Sequence, residues 1–95
     1  MYEKYKDIQL DELFDAILCL ENREECYKFL DDLCTVQELR ALAQRLMVAK
    51  MLDSQCVYNE IASTTGASTA TISRVNRSLN YGSDGYRLVF DKQKA

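Results

Sequence analysis

The sequence predicts an all-α chain, a small helical bundle that contains a helix-turn-helix. Three observations carry that prediction. No proline occurs in the 95 residues, alternation of β-branched residues is scarce, and apolar residues recur at spacings of three to four. The length fits a single domain, and a hydrophobic fraction of 47% suits a folded soluble chain. A core of this size is marginal for a lone chain, which makes oligomerisation a reasonable expectation.

The first helix is expected over about 8–20, with Ile8, Leu10, Leu13, Phe14, Ile17 and Leu18 forming a wide apolar stripe. Asn22 can cap a second helix, with Glu25 as its reciprocal partner and Cys26, Phe29, Leu30 and Leu33 as the buried face. Thr35 with Glu38 repeats the capping box and opens the longest helix, about 36–53. Its apolar positions (Val36, Leu39, Leu42, Ala43, Leu46, Met47, Ala49, Met51) cover more than one face, as a central helix packed on several sides requires. Three helices that each expose apolar surface imply burial against a second copy, so a homodimer is expected, with a heterologous partner as the alternative. A short helix at about 58–64, then Gly66, then a helix at about 69–80 follow. Ser68 suits the N-cap of that last helix, and Gly82 suits its end. Ser83 can cap a final helix, about 84–92, bearing Tyr86, Leu88, Val89 and Phe90, although Gly85 weakens it.

Composition narrows the function. The charged start MYEKYKD, with no apolar run near 18 residues, predicts neither signal peptide nor membrane span, and so a cytoplasmic protein. Cys19, Cys26, Cys34 and Cys56 show no CxxC spacing and histidine is absent, which argues against a disulfide framework or metal site and for reduced cysteines in a helical core. Without histidine or any GxGxxG, GxxxxGK[ST] or GxSxG motif, an enzyme is not expected. Charge is divided unevenly. Residues 1–35 hold ten acids and four bases, a net −6, whereas residues 36–95 hold five acids and eight bases, a net +3. No carboxylate occurs from Ile61 to Ser83, the pattern of a face meant for a polyanion.

That carboxylate-free stretch has the pattern of a helix-turn-helix. Ile61 and small Ala62 sit inward on the first helix, Gly66 makes the turn, and Ile72, Val75 and Leu79 anchor the second. Thr65 departs from the pattern, since a larger apolar residue is more usual there. Thr69, Ala70, Ser73, Arg74 and Arg77 are left facing solvent. Hydroxyls and methyl groups at the start of a recognition helix can read base edges, and the arginines suit phosphate or guanine contacts. Ser68, at the start of the second helix, and Tyr58 and Asn59, at the start of the first, complete the candidate DNA-binding set.

The segments LCTVQELRALAQR (33–45) and TGASTATISR (65–74), with LNYG beyond, resemble the Trp repressor family, especially its YerC/YecD-like branch of helix-turn-helix regulators. The likeness covers about residues 9–90. It implies a Trp-repressor-like, intertwined homodimer in which helices over about 8–55 and 84–92 interlock the subunits and about 57–80 read DNA. Arg45 and Arg74 match the family's two arginines flanking the corepressor, and Thr35 and Ser78 match other residues of that effector pocket. Val75 stands where the Trp repressor has a glycine beside the indole, and overpacking of this kind costs about 1–3 kcal/mol. No tryptophan-like cofactor is therefore expected, and Arg45 has an equally plain role pairing with a carboxylate of the acidic N-terminal region. The loop from Ser54 to Val57 is one residue shorter than the family's. The function expected is a homodimeric, sequence-specific DNA-binding transcriptional regulator, a repressor by resemblance. The alternative is a helical dimeric protein-interaction module without DNA binding.

Overall fold

The computed structural model describes residues 7–94. Its elements, in order, are α1 (Ile8–Leu18), α2 (Arg23–Leu33), α3 (Val36–Asp53), α4 (Tyr58–Thr65), α5 (Thr69–Tyr81) and α6 (Gly85–Lys94). No strand forms among the described residues, as predicted. The chain divides into two compact units, Met1–Leu39 and Arg40–Ala95, with the boundary inside α3.

In the first unit each helix is started by a side-chain cap. The Asp7 carboxylate accepts the Leu10 N–H at 2.7 Å, a cap that the sequence pattern does not single out. Asn22 Oδ1 accepts the Glu25 N–H at 2.9 Å, and Glu25 Oε1 accepts in return from Glu21, one residue before the expected partner, at 2.9 Å. The box at Thr35 is complete: Thr35 donates its N–H to Glu38 Oε1 at 2.8 Å, and Thr35 Oγ1 accepts the Glu38 N–H at 3.1 Å. Burial is another matter. No residue of α1 or α2 is buried, and Ile8 and Leu18 are 79% and 80% exposed. The face expected to be buried on α2 is open too, with Cys26 and Leu33 exposed and Phe29 and Leu30 half-buried. Two eleven-residue helices cannot enclose their own apolar stripes.

The core lies in the second unit. Val48 and Ala49 from α3, Ile61 from α4, Ala67 from the turn, Ile72, Val75 and Leu79 from α5 and Phe90 from α6 form one buried cluster. Ala62 packs against it, as its small size predicts, alongside Met51, Leu52, Cys56 and Tyr86. Val48 is absent from the apolar face expected for α3, yet it is fully buried. The cysteines are free, but none is fully buried: Cys19 and Cys26 are exposed, Cys34 is half-buried, and Cys56 is half-buried against the core. No helix of the described residues is long and apolar enough to cross a membrane.

Turn chemistry ends α3, α4 and α5. After α3, Gln55 takes a left-handed conformation at φ 65°. Its N–H reaches Leu52 O at 2.9 Å and the Cys56 N–H reaches Met51 O at 3.0 Å, the paired bonds of a Schellman end with glutamine at the place glycine prefers. Gly66 ends α4 at φ 75°, its N–H bonded to Ala62 O. Gly82 ends α5, where a Cβ would collide with the Ser78 carbonyl. Asp84, rather than Ser83, supplies the carbonyl that accepts the first bond of α6, from Leu88 at 2.9 Å, so this helix starts slightly later than Ser83 capping predicts.

Of the three left-handed positions, Gln55, Gly66 and Asp84 (φ 63°), the first two give a matched test. Gln55→Gly is expected to raise unfolding free energy by about 0.5–1 kcal/mol, because relief of left-handed strain exceeds the added chain entropy. Gly66→Ala is expected to lower it by about 1–2 kcal/mol. Denaturant titration of both variants at one protein concentration checks the opposite signs.

Candidate nucleic-acid interface

Helix α5 starts where Ser68 Oγ accepts the Thr71 N–H at 3.1 Å, while the Ser68 hydroxyl donates to Thr71 Oγ1 at 3.1 Å. The candidate Ser68 is therefore occupied as a cap. Ile72, Val75 and Leu79 are buried, which fixes the helix about its own axis. At 3.6 residues per turn, Ala70, Ser73, Arg74 and Arg77 fall on the opposite side, and Thr69 falls on its flank. All five are exposed, so the structure brings these candidates together on one face. No carboxylate from Ile61 to Ser83 opposes a phosphate there. Tyr81, 83% exposed, extends the same face one turn beyond Arg77. Sequence reasoning passes over it, although its i+4 spacing from Arg77 is legible.

Helix α4 begins with the remaining two candidates, Asn59 exposed and Tyr58 at the border of exposure. Its N-cap is Val57, which has no side-chain oxygen for the first-turn N–H groups. The turn between α4 and α5 is wired by Thr65. Its hydroxyl donates to Ile61 O at 2.7 Å and accepts the Ala67 N–H at 3.1 Å, and Gln44 Nε2 donates to Thr65 O at 3.1 Å. The residue that departs from the apolar pattern is thus a polar junction. Gln44 escapes sequence reasoning because its partner is 21 positions away.

A cavity of about 420 Å³ lies beside α5, lined by Arg45, Arg74, Val75 and Ser78 with Leu42, Leu46 and Tyr86. Three of the four effector-pocket candidates meet there. The fourth, Thr35, belongs to the other unit, where it caps α3. Val75 is only 2% exposed and fills part of the wall. Within their own unit, and among the described residues, Arg45 and Arg74 form no ion pair; the pair found there joins Arg87 Nη1 to Asp53 Oδ1 at 2.7 Å. A smaller cavity of about 100 Å³ lies against the same arginines and is lined also by Gln44 and Thr71. The Cys56 thiol is held above its ordinary value by hydrogen bonding to the Glu60 carboxylate, with burial adding to it, the reverse of what a reactive thiolate needs.

Comparison with known proteins accords with this geometry. The family model described as Trp repressor protein matches residues 8–94. The chain is 54% identical over 92 residues to the uncharacterized protein YerC of Bacillus subtilis (strain 168), covering 97% of this chain and 88% of that one. It is similar to the crystal structure of a candidate Trp repressor from Staphylococcus aureus at TM-score 0.93 and 57% identity, covering 99% and 94% of the two chains. It is likewise similar to the crystal structure of a TrpR-like protein from Eubacterium eligens ATCC 27750, at TM-score 0.93 and 53% identity over 97% and 95%.

The capping box that starts α3 is open to direct titration. The Glu38 carboxyl lies below its ordinary 4.5, first because it accepts the Thr35 backbone N–H and second through the Thr35 side chain. A depressed folded value means the carboxylate supports the helix start above about pH 4.5, and the support is lost as pH falls through the lowered value. Thr35→Ala is expected to return the Glu38 titration only part of the way to 4.5, since the larger cause is backbone. Carbon-detected NMR titration of Glu38 in both proteins measures this.

Proposed function

The chain belongs to the Trp repressor family, whose members are regulatory DNA-binding proteins and not enzymes, and from that premise we propose a homodimeric, sequence-specific DNA-binding regulator of transcription. The single observation that carries the reading is the outward face of α5. Thr69, Ala70, Ser73, Arg74 and Arg77 stand together behind a fixed turn, in a stretch without carboxylates. Hydroxyls and methyl groups at the N-terminal end meet base edges, and arginines further along meet phosphate or guanine. Tyr58 and Asn59, exposed at the start of α4, complete the proposed DNA-binding set. The action is occupancy: bound at its site, the protein excludes other machinery, which makes it a repressor.

The dimer is supported by the open apolar stripes of α1 and α2, which a second copy would cover in an intertwined arrangement. Two copies place two recognition helices in successive major grooves, so the site is pseudo-palindromic with half-sites about one helical turn apart. Its place of action is the cytoplasm. The pocket at Arg45, Arg74 and Ser78 takes no tryptophan-like corepressor, because branched Val75 occupies the wall against which a flat ring would lie.

Selection from random genomic duplex at two salt concentrations tests the reading. A selected palindrome, bound with salt-sensitive affinity and unchanged by added tryptophan, is the expected result. Sedimentation of the free protein is expected to give twice the mass of the chain. Arg74→Ala and Arg77→Ala are each expected to weaken binding on all sequences and to flatten the log–log salt slope by about 0.9 for each phosphate no longer neutralised. Thr69→Ala and Ser73→Ala are expected to change the preference among sites instead. No selection, together with capture of an acidic protein partner, would favour an interaction module.

A further inference from the structure

Helix α4 ends at Thr65, and the last carbonyls of a helix have no partner within it. Two polar groups of the turn therefore need outside partners: the Thr65 carbonyl, and the N–H of Ala67, a residue only 5% exposed. The Thr65 hydroxyl accepts the Ala67 N–H at 3.1 Å while donating to Ile61 O at 2.7 Å, a role no apolar residue can fill. Gln44 then reaches from the middle of α3 and donates Nε2 to the Thr65 carbonyl at 3.1 Å. The apolar packing that gathers Ile61, Ile72 and Val75 into one cluster is non-directional and tolerates small sliding, whereas a hydrogen bond keeps a narrow length and angle. The reading residues begin at Thr69, four positions after Thr65, so whatever holds the turn also aims them. Gln44 moreover shares one small cavity with Arg45, Thr71, Arg74 and Val75.

We propose that Gln44 is a positioning residue of the DNA-reading pair: its side-chain amide holds the turn between α4 and α5 to α3 and so sets discrimination among DNA sites, an inference that rests on the regulator reading. Misplacing the turn by a fraction of an ångström penalises base contacts, which need close register, more than phosphate contacts along a flexible arginine. Gln44 thus acts on specificity through Thr65 and need not touch DNA.

Two variants test this in the full chain. Gln44→Met keeps length and bulk but removes the donor. It is expected to lower amide-exchange protection at Gly66 and Ala67 about three- to tenfold, the range of one neutral hydrogen bond. The ratio of selected-site to random-duplex affinity should fall by a similar factor, with random-duplex affinity nearly unchanged and the unfolding midpoint lowered by no more than a few degrees, the cost of that one bond. Gln44→Glu keeps the shape but places a carboxylate against a carbonyl. Its defect should be larger at neutral pH and should diminish as pH falls through the carboxylate range, when the protonated acid can donate again; the wild type should show no such dependence. Unchanged exchange protection in Gln44→Met would overturn the link between α3 and the turn, whatever DNA binding does. Lowered protection with an unchanged affinity ratio would overturn the specificity role. If the wild-type chain selects no DNA site, the regulator reading fails and the specificity role with it, while exchange still reports separately on the link.

Discussion

The burial of Ile72, Val75 and Leu79 is the constraint on which the rest of the second unit depends. Each such side chain gains about 1.5–3 kcal/mol on leaving water. Rotating α5 by one position would exchange Ile72 and Val75 for Ser73 and Asn76, and would bury polar groups without partners. The helix therefore has one rotation, and the outward row of Ala70, Ser73, Arg74 and Arg77 follows from it. Val48, Ala49 and Ile61 provide the matching surface. A functional face is here the complement of a packing face.

Polar groups refine what apolar burial leaves loose. No buried side-chain nitrogen or oxygen lacks a partner among the described residues. Asp7, Asn22, Thr35 and Ser68 each accept a first-turn N–H, so four helix starts are settled locally. Asp53 pairs with Arg87 and raises the guanidinium's proton affinity, tying the end of α3 to α6, although a pair this exposed to solvent contributes little stability. The acids of the second unit stay outside the stretch from Ile61 to Ser83. Placing carboxylates at caps and ion pairs while excluding them from one face lets an acidic chain present a surface suited to a polyanion.

The first unit presents the opposite situation. Its helices are well capped but α1 and α2 bury no residue fully, and Ile8, Phe14, Ile17, Leu18 and Leu33 remain open to water. An apolar stripe of that extent is costly in an isolated chain. Capping and burial are separable: a cap satisfies backbone N–H groups whether or not a partner surface is present, so well-formed ends accompany uncovered faces.

Helix number, most helix boundaries, the caps at Asn22, Thr35 and Ser68, the turn at Gly66 and the inward set of α5 are legible in the sequence. Each depends on residues three or four apart, and local periodicity records such distances. Val48 escapes because α3 is apolar on several sides, and period alone does not choose among them. None of the cysteines is fully buried, because apolar character predicts a tendency to burial, not an available cover. The pocket uniting Arg45 with Arg74 and Ser78 is reached through resemblance, not spacing, and Thr65 stands in the sequence only as an irregularity. What the sequence determined by itself is the set of helices and the face that α5 turns outward. Only the tertiary structure decided what holds that face in place: Gln44 and Thr65 are 21 positions apart, and a directional contact over that span arises only when two packed helices bring its ends together.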